Sequence, residues 1–144
     1  MITHDTIELL KECDAGIKMG IHAIDDVKDR IEDPKLKDIL KNSRKEHVEI
    51  EMEIGTMLRE HGEPEKEPSM MASGMSWLKT NMKRSMNASD NTASDLITDG
   101  CNMGVKSLQK YINKYEKADE KAKNMANRII QIEEKLSEDL KGYL

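Results

Sequence analysis

The stretch RKEHVEIE, residues 44–51, sets a single imidazole in a charged run. Counted along the helical repeat through Leu36, Leu40, Ser43, Ile50 and Ile54, His47 takes a position that the pattern reserves for inward-facing side chains. Glu133 does the same in the row Ala126, Ile129, Leu136 and Leu140. An inward imidazole and an inward carboxylate can share a proton in a buried hydrogen bond. They can also hold a transition metal together with neighbouring ligands. Leaving either group unpaired in a core costs about 1–3 kcal/mol. The expectation is therefore a structural hydrogen bond between them. The alternative is a metal centre at His47 and Glu133 holding iron, manganese or zinc.

Other residues with chemical potential have simpler readings. Cys13 and Cys101 fall on helical seams. Counted at the helical rise from the turn of each hairpin, they stand roughly 15–20 Å apart. A disulfide needs Cα atoms within about 7 Å, so both are expected as buried free thiols. The eleven methionines include the close group Met70, Met71 and Met75. Thioethers suit Cu(I), but a methionine stripe at helical spacing reads as core filler in a chain without phenylalanine. His22 lies near Asp25 and Asp26, and His61 next to Gly62, as surface or helix-end residues would. No phosphate-binding glycine loop or Ser/His/Asp or Cys/His nucleophile arrangement stands out.

These residues must be positioned by long helices. A first helix is predicted over residues 5–31, its seam reading Leu10, Cys13, Ile17, Gly20, Ile24, Val27 and Ile31. Asp33 then Pro34 is a cap followed by a first-turn proline. The second helix starts there, carries the His47 seam on through Met57 and His61, and stops at Gly62 and Pro64. A third is predicted from Ser94 with Ile97, Cys101, Gly104, Leu108, Tyr111 and Tyr115 inward. A fourth begins near Asp119 and ends its seam at Leu140 and Tyr143, with Met125, Ile132 and Leu144 in a flanking row.

The second helix spans about 40 Å at ~1.5 Å per residue. The connection over 62–93 is long enough to return along it and start the third helix at the far end. Within it, Met71, Met75, Leu78, Met82 and Met86 predict a short extra helix with Trp77 at its edge. A faint internal repeat aligns ECDAGIKMGIHAI (12–24) with GCNMGVKSLQKYI (100–112), and Asp33 with Asp119. In that register His47 and Glu133 sit equally far from their turns and face each other at mid-height. The chain reads as one domain, residues 1–144: a hairpin over about 5–61, a crossover over 62–93 and a hairpin over about 94–144.

Three stretches carry a resemblance: residues 12–64, MASGMSWLKT in the crossover, and DGCNMGVKSLQKY in the third helix. In them the chain resembles the ferritin-like superfamily, and more closely a family of small bacterial ferritin-like four-helix bundles of unknown function. The likeness implies an all-α, ferritin-like four-helix bundle. A ferritin-like di-metal centre takes a Glu from each of two helices and a Glu-x-x-His from each of the other two. By that likeness His47 matches one histidine, but Arg44 stands in its glutamate position. Glu133 occupies the second histidine position and Ile130 the second glutamate position. At mid-height the other helices offer Gly16 and Gly104, with Met19 and Gly20 nearby and Asp14 and Asn102 the closest polar residues. The resemblance therefore implies a degenerate di-metal site with no cofactor.

Composition agrees with a helical chain. Of 144 residues 35% are charged, with no Phe, one Trp and three Tyr, which suits helices better than sheets. The net charge of −5 argues against nucleic acid and anionic membranes as partners. Lys79, Lys83 and Arg84 form the one local basic group and read as a solvated face. No stretch approaches the ~20 apolar residues of a membrane span, and a cytoplasmic protein is expected. Leu140, Tyr143 and Leu144 cluster at the C-terminus, where a homodimer could pack. The expected role is structural, interacting or stress-related rather than enzymatic, the alternative being metal-dependent redox or metal handling.

Overall fold

The computed structural model describes residues 4–63 and 89–144. These form four helices: α1 (His4–Val27), α2 (Pro34–Glu60), α3 (Asp90–Lys114) and α4 (Glu120–Leu140). Single 3-10 turns follow α1 at Lys28–Arg30 and α4 at Lys141–Tyr143. No strand occurs among the described residues, so they are all-α. The extra helix expected around Met71–Met86 with Trp77, the methionine group Met70, Met71 and Met75 read as core filler, and the basic group Lys79, Lys83 and Arg84 lie outside the described residues.

Local chemistry sets the boundaries. Asp33 caps α2 by accepting from the Leu36 N–H at 2.9 Å, and Pro34 opens the helix with its fixed φ. Asp119 caps α4 in the same way through the Ala122 N–H at 2.9 Å. Gly62, at φ 72°, ends α2 in a left-handed conformation that a side chain would strain.

Two predicted boundaries shift. α3 begins at Asp90, capped by Ser89, and not at Ser94, which is buried inside the helix. α1 leaves α-helical geometry at Val27 instead of continuing to Ile31. The chain must reach an extended conformation at Asp33, φ −69° and ψ 123°, because the residue before a proline avoids the helical region.

The helix ends show how the chain runs. The N–H groups of Glu32 and Asp33, in the α1–α2 turn, donate to Asp90 Oδ1 and Oδ2 at the start of α3 (2.9 and 3.0 Å). At the opposite end, in the α3–α4 turn, Lys117 N–H donates to Asp5 Oδ2 (3.0 Å) and Asp119 N–H to Thr6 Oγ1 (2.8 Å), both at the start of α1. The N-terminal turn of a helix in each hairpin thus holds the turn of the other. It follows that α2 and α3 start at the same end, and the chain leaves α2 at one end and enters α3 at the other. α1 packs against α2, α3 and α4, while α2 packs against α4.

The apolar interior falls into two clusters. Leu9, Cys13, Ile17, Ile54, Leu108, Ala122 and Ile129 belong to the one towards the α3–α4 turn. Ile24, Leu36, Leu40, Ile97, Cys101, Leu136 and Leu140 belong to the one towards the α1–α2 turn. Gly20, His47, Gly104 and Glu133, one from each helix, lie between them in sequence position along every helix. Surface ion pairs add little energy, but several join neighbouring helices: Arg128 to Glu53 (2.7 Å) and Lys135 to Glu46 (3.1 Å) link α4 to α2.

Candidate functional site

His47 is 1% and Glu133 7% exposed. The two meet as the inward seams predict: His47 Nε2 lies 2.6 Å from Glu133 Oε1. The other ring nitrogen, Nδ1, lies 2.7 Å from the Ser43 carbonyl oxygen one helical turn earlier. Spacing alone could have pointed to this second partner, because residue i−4 presents its carbonyl to a side chain at i.

Both neighbours shape the protonation of the ring. A carbonyl only accepts, so Nδ1 carries a proton and donates it to Ser43. The short contact at Nε2 then holds one further proton between imidazole and carboxyl. Burial acts against a charged ring, but the hydrogen bond and charge of Glu133, the Ser43 carbonyl and the charge of Glu46 outweigh it. The His47 pKa is raised as a result.

The remaining helices make room. A Cβ on Gly20 would stand 2.8 Å from His47 Cδ2 and 2.9 Å from Nε2, closer than real Cβ atoms come. The α1 backbone thus runs directly against the imidazole. The sequence expectation placed Gly16 at this level with Gly20 nearby; Gly20, one turn further on, is the residue that meets the ring. Gly104 faces Glu133 less closely, with 3.9 Å between its would-be Cβ and Oε2.

The expected polar neighbours do not join. Asp14 is buried and pairs with Lys18 at 2.7 Å, and Asn102 is exposed. Arg44 turns to α1, where its Nε and Nη2 reach the Asp25 carboxylate at 2.6 and 3.1 Å. Ile130 is buried. His22 and His61 are exposed, the latter against its place on the predicted seam, because α2 ends at Glu60 and His61 already belongs to the turn.

Cys13 and Cys101 are buried free thiols in different core clusters. Burial raises the pKa of both. Glu12 and Asp14 push Cys13 further up, and the Glu133 carboxyl, close enough to accept a hydrogen bond, does so for Cys101. Neither is a ready nucleophile, which requires the thiolate.

Tested against this donor set, a di-metal centre does not fit. Both His47 nitrogens are engaged, Gly20 and Gly104 bring no side-chain oxygen, and Arg44 and Ile130 stand where the ferritin-like resemblance would call for carboxylates. Among the described residues, no three of His, Cys, Asp and Glu gather so as to hold a metal ion. None of the described helices is long and apolar enough to cross a membrane. Comparison of the chain with family models, with curated proteins and with solved structures finds no match.

Proposed function

We propose that the chain is a ferritin-like four-helix bundle whose di-metal centre has degenerated into a polar lock, and that it acts as a structural or interaction protein. A stress-related role follows from the family likeness alone. The observation that carries the reading is the direct hydrogen bond from His47 to Glu133, with the second ring nitrogen spent on Ser43. The bond occupies the very atoms that a metal would need. Elemental analysis of protein purified without oxygen tests the proposal. Substoichiometric metal is the expected result. A stoichiometric pair of iron or manganese ions, or one metal lost in His47→Ala, would falsify it and favour metal handling at His47 and Glu133.

Self-association belongs to the same proposal. Leu144, at the C-terminal end, is 58% exposed beside the partly buried Tyr143. Light scattering should show a dimer, and a monomer at high concentration would count against it.

A further inference from the structure

Between α3 and α4 the surface opens into a groove of about 340 Å³. Asn102 and Lys106 line it from α3, and Glu133, Glu134 and Ser137 from α4. Its size falls at the small end of ligand pockets. Glu133 gives the groove an unusual wall: a side chain only 9% exposed that still reaches an open surface. Its Oε1 is committed to His47, Oε2 lies 3.9 Å from where a Gly104 Cβ would stand, and the Cys101 thiol is also within reach of the carboxyl.

The charges around the groove are not all spent internally. Glu138 and Lys141, also on its walls, neutralise each other at 2.7 Å. His47 answers Glu133. Lys106 and Glu134 are exposed on opposite walls and enter no ion pair among the described residues. A bare cation in this groove would face two lysines, and a polyanion three glutamates. A molecule carrying both signs meets a partner on each wall.

We infer that the α3–α4 groove binds a small zwitterion of the amino-acid class. Its ammonium group faces Glu134, with the Glu133 carboxylate behind it in the wall, its carboxylate faces Lys106, and Asn102 and Ser137 supply neutral hydrogen bonds. The His47–Glu133 bond stays intact in this arrangement, so the inference goes beyond the structural reading and can fail separately from it.

Amide chemical shifts of Asn102, Lys106 and Ser137 read the binding directly. The probes are glycine, β-alanine and γ-aminobutyrate, with acetate and ethylammonium as single-charge controls. At least one amino acid should shift these amides saturably, with a Kd near ~1 mM and about tenfold tighter than either control. Lys106→Ala and Glu134→Gln, both at exposed positions that leave the fold alone, should each weaken binding by about tenfold. Three results would overturn the inference: no saturable shift with any of the three, controls that bind as well as the amino acids, or binding indifferent to both substitutions.

Discussion

The imidazole of His47 lies against the bare Cα of Gly20, in space that any side chain on that residue would claim: a Cβ would come within 2.8 Å of Cδ2. An alanine normally favours a helix interior over glycine by about 0.5–1 kcal/mol. At position 20 the sign reverses. Gly20→Ala should lower stability, since the ring is fixed at both nitrogens and cannot swing aside. Gly104→Ala, whose Cβ meets Glu133 Oε2 at an ordinary 3.9 Å, should be neutral or raise it. Urea denaturation of the two variants checks the contrast, and equal effects would contradict the described packing.

Removing one member of the buried pair should cost more than removing both. Glu133→Leu strands an imidazole in the core, and His47→Leu strands a carboxyl; each single change should cost about 3–5 kcal/mol. In the double variant neither group is stranded. The double-mutant cycle should therefore show a coupling of at least ~1 kcal/mol. Additive losses would mean that the two side chains do not depend on each other.

The pair also gives stability a pH dependence. Burial opposes the charged His47 ring, but Glu133 leads the groups that lift its folded pKa above the unfolded value of about 6.5. Its contribution is complete below that unfolded value and is lost as the pH rises through the folded pKa. The denaturation midpoint should accordingly fall on the alkaline side of about pH 6.5, and His47→Gln should lack that fall. On the acid side the sign is opposite. The hydrogen bond from Arg44 lowers the Asp25 pKa and that from Arg128 lowers the Glu53 pKa, each against a smaller opposing effect of burial. Their contribution is present above the unfolded carboxyl pKa and fades as the pH drops through the lowered one.

Asp90 offers a test of the hairpin contacts. Both its carboxylate oxygens accept N–H groups of the α1–α2 turn. Asp90→Ala should destabilise by about 1.5–3 kcal/mol, the range for bonds to a charged group. Asp90→Asn keeps one acceptor and should recover part of the loss. A silent alanine variant would show that solvent serves the turn equally well.

The features legible in the sequence are those that depend on near neighbours or on a repeat. Asp33 could be read as a cap because cap chemistry is complete within three residues, and the repeat that aligns it with Asp119 placed the start of the fourth helix, where Asp119 makes the same bond. His47 and Glu133 could be paired because each interrupts an apolar seam and the repeat sets them level. The start of α3 was ambiguous: Ser89, Asp90, Asn91, Thr92 and Ser94 are all competent caps, and only the packing that buries Ser94 decides among them. Gly16 and Gly20 both stood near mid-height in the sequence, and only the packing of α1 on α2 shows that Gly20 is the one against His47. The bonds made by Asp5, Thr6 and Asp90 left no local signal, because each joins residues far apart in the chain.

Those end contacts bear on how the molecule opens. Turn amides usually exchange with solvent after small local fluctuations. Here the N–H groups of Glu32 and Asp33 are released only when α3 frays, and those of Lys117 and Asp119 only when α1 does. Each turn therefore reports the integrity of the opposite hairpin. A chain cut within the crossover would leave two fragments with unclosed turns, each completed only on reassociation with the other.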